Sequence, residues 1–70
     1  ETYNEALDIA KQGHAFARKG QWADAVRSFE EAAIIWESIA SSQTENGEQA
    51  RKAAEETREH AELARQRMDR

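Results

Sequence analysis

Gly20-Gln21-Trp22-Ala23-Asp24-Ala25-Val26-Arg27-Ser28-Phe29-Glu30-Glu31-Ala32-Ala33-Ile34-Ile35-Trp36-Glu37-Ser38-Ile39-Ala40 is the stretch that decides the fold. Trp22, Ala25/Val26, Phe29, Ala32/Ala33, Trp36 and Ile39/Ala40 return at steps of three and four, the spacing of one helix face. Asp24 falls in the first turn, where the helix dipole favours a negative charge. Ile35 widens the apolar face beyond what a single neighbour covers, so this helix is expected to touch two others.

Upstream, Thr2-Tyr3-Asn4-Glu5 fits a capping box, with Thr2 and Glu5 exchanging side-chain-to-amide hydrogen bonds. Tyr3, Ala6/Leu7, Ala10, Gly13/His14 and Ala17 then form a helical stripe, broadened by Ile9 and Phe16. Arg18 and Lys19 suit the negative end of the dipole, and Gly20 can take the left-handed conformation that ends a helix. Downstream, residues 41–47 (Ser-Ser-Gln-Thr-Glu-Asn-Gly) read as a loop, and Asn46 with Gln49 makes a cap. Ala50, Ala53/Ala54, Thr57, His60/Ala61, Ala64 and Met68 give the next helix a narrow stripe of small side chains. The expected fold is all-α: an antiparallel bundle of three helices over 3–19, 21–41 and 47–67. Its expected core is Leu7, Phe16, Trp22, Val26, Phe29, Trp36 and Ile39. Small residues bury little area, so the last helix should be the least firmly held and should fray from Gln66.

Seventy residues and 8.0 kDa accommodate one small domain, read here as residues 1–70 of a larger parent because the chain opens at Glu1 without a methionine. The absence of cysteine excludes a disulfide framework and thiol chemistry. A net charge of −4 argues against a nucleic-acid partner, since phosphate binding needs uncompensated Lys and Arg. No apolar run approaches the ~18 residues of a membrane span, so no direct membrane insertion is expected.

Gly13, Phe16, Gly20, Trp22, Ala25, Phe29 and Ala32 together look like one tetratricopeptide unit, with small residues where two helices cross and aromatics between them. A second resemblance covers nearly the whole chain. Glu5-Ala6-Leu7-Asp8-Ile9-Ala10, then Gly20-Gln21-Trp22-Ala23-Asp24-Ala25-Val26, Phe29, Ala32 and the late Ala61-Glu62-Leu63 resemble the microtubule-interacting-and-trafficking (MIT) domain. That family is a three-helix bundle with a tetratricopeptide-like first hairpin, and the third helix here departs from it in lacking larger apolar residues. The resemblance implies a module that binds short helical motifs in the tails of ESCRT-III-type filament proteins and recruits its parent protein. It also implies a cytoplasmic protein that reaches endosomes through its partner.

Ile34 and Leu63 lie off the core stripes. With antiparallel helices, Ile34 is expected opposite about residue 53 and Leu63 opposite about residue 24, roughly 15 Å apart along one groove. Flanked by Glu55, Glu59 and Glu62, they would anchor a basic amphipathic peptide. The simpler reading is that each is a singly exposed apolar residue, which needs no explanation. Tyr3, Ile9 and His14 border the other groove, where their stripe positions favour packing. His14 and His60 are the only imidazoles, on different helices and outside any ligand pattern, so neither a metal site nor a cofactor is expected. Glu30-Glu31 and Glu55-Glu56 are adjacent on helices and point about 100° apart, too divergent to share a proton as a catalytic dyad. Ser41-Ser42 has no base nearby in sequence. The expected function is therefore a non-enzymatic protein-binding module. The alternative is a tetratricopeptide-like hairpin with a capping helix, a scaffold able to self-associate weakly.

Overall fold

A computed structural model describes residues 3–42 and 47–68, which form an all-α three-helix bundle. The helices are α1 (Tyr3–Arg18), α2 (Trp22–Ser42) and α3 (Gly47–Met68). Thr2 and Asn46, the expected caps of α1 and α3, lie outside the described residues. No described helix is long and apolar enough to cross a membrane.

The turn from α1 to α2 follows from its glycine. Gly20 sits at φ 77°, in the left-handed region. Its amide donates to the Ala17 carbonyl at 3.0 Å, and the Gln21 amide donates to the Phe16 carbonyl at 2.9 Å. These paired bonds satisfy carbonyls that the last helical turn leaves free, a Schellman motif. Gln21 at once becomes the N-cap of α2, its carbonyl accepting from the Ala25 amide at 3.0 Å. The chain reverses within three residues, so α1 and α2 pack antiparallel.

At its far end α2 continues through Ser42, one residue beyond the expected limit and into the stretch whose composition reads as a loop. Both serine hydroxyls turn back onto the helix. Ser41 Oγ donates to the carbonyls of Glu37 and Ser38, and Ser42 Oγ donates to Ser38 at 2.9 Å. Such bonds let a residue that usually favours turns stay helical. The α3 helix also runs past the expected fraying point at Gln66 to Met68. The Arg67 guanidinium sits over the Trp22 ring, 5.6 Å from its centroid, and ties this end to the start of α2.

As its wide apolar face requires, α2 is the central helix and packs against both neighbours, while α1 and α3 meet only sparsely. The core divides lengthwise. One cluster centres on Trp36, Ile35 and Ile39 with the alanines of all three helices, and Tyr3 and Ile9 pack on its edge. The other centres on Phe29 and Val26 with Ala25, Ala61 and Ala64, edged by the half-buried Phe16 and Trp22. Val26, Phe29, Trp36 and Ile39 are thus in the core as the stripe predicts. Leu7 is not: it is 37% exposed. It lies on the flank of α1 that only α3 could cover, and α3 stays away.

Gly13 explains how a helix as alanine-rich as α1 holds so close to α2. A Cβ built there would lie 2.8 Å from Phe29 Cε1, closer than carbon atoms can approach. Glycine at this position lets the Phe29 ring rest on the α1 backbone.

Candidate functional site

Two lengthwise surfaces flank α3, and they differ. Between α2 and α3 the edge is bridged by ion pairs. Arg58 grips Glu37 with a two-pronged hydrogen bond, Nε to Oε2 at 2.9 Å and Nη2 to Oε1 at 2.6 Å. The carboxylate raises the Arg58 pKa above its ordinary value, first by that hydrogen bond and then by its charge. One helical heptad further on, Arg65 pairs with Glu30. Hollows remain at this edge: about 320 Å3 beside Ala40, Ser41, Arg51 and Glu55. A further 260 Å3 lies beside Ala61 and Glu62.

These pairs fix the register of α2 against α3, and it differs from the sequence expectation. Because Glu37 faces Arg58 and Glu30 faces Arg65, Ile34 lies level with Ala61 rather than with residue 53. Leu63 is then only about 3 Å from Ile34 along the axis, not fifteen. Nor do the two share a groove. Leu63 comes five residues after Arg58 and two before Arg65, so it projects roughly 140–160° around α3 from the edge those arginines occupy. Ile34 and Leu63 are exposed, at 62% and 58%, but on separate outer faces. Glu55, Glu59 and Glu62 are exposed on α3. Glu55 and Glu62 border the two hollows of the bridged edge, so the acids do not gather round a pair of apolar anchors.

The other surface, between α1 and α3, is an open groove of about 200 Å3. Leu7, Ala10, Lys11 and His14 of α1 form one wall, and Ala53, Glu56, Thr57 and His60 of α3 form the other. Trp36 of α2 lines its floor. Trp36 is 3% exposed, and its indole Nε1 has no hydrogen-bond partner among the described residues. The basic wall continues as a hollow lined by Lys11, His14, Ala15 and Arg18.

At one point in this groove the two imidazoles meet. The His14 and His60 ring centroids are 4.9 Å apart with their planes at 75°, edge against face. Both rings also rest on Phe29, at 4.9 Å for His14 and 5.6 Å for His60. The His14 pKa lies below its usual 6.5, first because burial disfavours the cation, then because of His60 and Arg18 nearby. His14, whose stripe position favours packing, is instead exposed and lines the open groove.

The sequence expectation sets Ile34 and Leu63 along the α2–α3 groove, and the register of the two helices separates them. Leu7, Lys11, His14 and Arg18 do recur at helical spacing, a mixed apolar and basic stripe beside the core stripe of α1. That pattern was available. What it could not supply was the gap that leaves the stripe uncovered. In comparisons with known proteins, the chain matches no family model, no curated protein and no solved structure.

Proposed function

We propose that the chain is a non-catalytic interaction module that takes a short amphipathic helix into the groove between α1 and α3 and so recruits the protein it belongs to. The observation that carries this reading is the gap itself. Both outer helices lean on α2 without closing on each other, leaving Leu7, Ala10 and Ala53 beside an aromatic floor. An added helix would complete a four-helix arrangement by burying that strip.

The charges on the walls support one kind of partner. Lys11 and Arg18 line the α1 side and Glu56 the α3 side. The complementary ligand is a helix with an apolar stripe, acidic residues along one margin and basic residues along the other. The MIT resemblance points to the tail of an ESCRT-III-type filament protein as its source, and so to action at endosomal assemblies.

Titrating the isotopically labelled domain with such a peptide, followed by amide NMR, tests the reading. Saturable shifts at Leu7, Lys11, Ala53, Glu56 and their neighbours are expected. Leu7→Asp, at an exposed position, should weaken binding about ten-fold or more, since one buried leucine contributes ~1.5–3 kcal/mol. Ile34→Asp and Leu63→Asp should leave it unchanged. No shifts at millimolar peptide, with self-association in sedimentation instead, would favour the scaffold reading.

A further inference from the structure

The His14–His60 pair is a cluster that peptide capture does not need. The chain contains two histidines and no cysteine, so these rings are its whole complement of imidazole and thiol ligands. They lie 46 positions apart in sequence, on helices that hardly touch, and the fold nevertheless brings them edge to face at 4.9 Å.

We propose that His14 and His60 form a binding site for one divalent late-transition-metal ion, Zn2+ or Cu2+, which staples α1 to α3. The spacing is what such an ion requires. A ring nitrogen lies about 1.1 Å from the imidazole centroid and a metal–nitrogen bond is about 2.0–2.1 Å, so two imidazoles on one ion at 90–109° have centroids roughly 4.5–5.2 Å apart. The observed separation falls inside that range without any movement of the helices. Because the rings meet edge to face, a shared ion requires rotation about χ2, which is broad for histidine, to turn a nitrogen of each ring towards it. Neutral imidazole selects borderline metals over hard ones, and affinity should follow the order in which Cu2+ exceeds Zn2+.

The remaining coordination positions go to water. Among the described residues no cluster of three or more histidine, cysteine, aspartate or glutamate side chains could hold a metal. Both imidazoles line the open groove, which gives solvent and the ion access. Phe29 behind them restricts the rings to the groove side. Because the ligands come from helices that otherwise meet only sparsely, an ion held by both stabilises the folded chain over the unfolded one.

The test uses the full chain without a histidine tag. Calorimetric titration with Zn2+ should give one ion per chain, and the melting temperature should rise with Zn2+ concentration. His14→Gln and His60→Gln should each weaken binding roughly ten-fold or more and abolish the thermal shift, because one imidazole alone does not chelate. On the unsubstituted chain, which avoids any question of misfolded variants, Cu2+ electron paramagnetic resonance should show two imidazole nitrogens on one ion. Absence of binding at millimolar Zn2+ would overturn the proposal. So would a single coordinated nitrogen, one ion shared between two chains, or an equal response to Mg2+, which would place the cation on the acidic surface instead.

Discussion

The two sides of α3 are built from the same kind of helix and end up opposite in character. Towards α2, two arginines reach across to two glutamates and bridge the edge. Towards α1, the lining is alanines, Leu7, Thr57 and two imidazoles, with Lys11 and Glu56 on opposite walls and no ion pair across it among the described residues, and the helices stand apart over the Trp36 ring. Long ionised side chains bridge helices without requiring the backbones to meet, and they set register as they do so. A wall of short side chains closes only if the backbones approach. Here the α2 aromatics hold α1 and α3 apart, because a tryptophan and a phenylalanine fill the middle of the bundle.

If bulk in the centre governs both sides, removing it should dominate every other change. Phe29→Ala should cost ~3–5 kcal/mol, enough to unfold most of a chain this small, measured as loss of helical circular dichroism on mild heating. A variant melting within a few degrees of the parent would break the comparison.

Gly13→Ala probes the same contact from the backbone side. Overpacking against Phe29 should cost ~1–3 kcal/mol, less the ~1 kcal/mol that alanine gains over glycine within a helix. A net loss of about 1 kcal/mol is expected in urea unfolding. A stabilised variant would mean the ring moves freely and does not wedge the helices.

The bridged edge should matter less. Arg58→Ala and Arg65→Ala should each cost ~0.2–1 kcal/mol, because the pairs are half exposed. Concentrated salt should shrink the difference from the parent. A double-mutant cycle of Arg58→Ala with Glu37→Ala checks the first pair. A coupling of several kcal/mol would show the edge, rather than the aromatic centre, to be what organises the bundle.

The smallest effect expected is on pH. In metal-free protein the folded chain binds the His14 proton less readily than the unfolded chain, because of burial, His60 and Arg18. Lys11 and Glu56 share the groove and contribute charge of opposite sign. Stability should therefore fall as pH drops through the imidazole range near and below 6.5, with no contribution from this group above it. Melting curves across that range, with a chelator present, should show the slope in the parent and a flatter profile in His14→Gln.

Much of the bundle is legible in the sequence. The α2 stripe announced a central helix with two neighbours, and Lys19-Gly20 announced the turn, because both signals are local and periodic. Ser42 was misplaced because its hydroxyl can serve either a turn or the preceding carbonyls, and the helix won. Leu7 was misplaced because a stripe shows which residues share a face and not whether a third helix covers it. The spacing of Ile34 and Leu63 was the least legible. A register estimate set Ile34 and Leu63 along one groove, and two long-range Arg–Glu contacts overrule it.

The sequence by itself determined the number of helices, their limits to within a residue or so, and the aromatic centre of the bundle. These depend on periodicity, capping chemistry and glycine conformation, all readable within one turn or two. Only the tertiary structure decided the register of α3, the opening between α1 and α3, and the meeting of His14 with His60. Each depends on how aromatic volume and long side chains share the space between helices, and residues 46 positions apart carry no local mark of it.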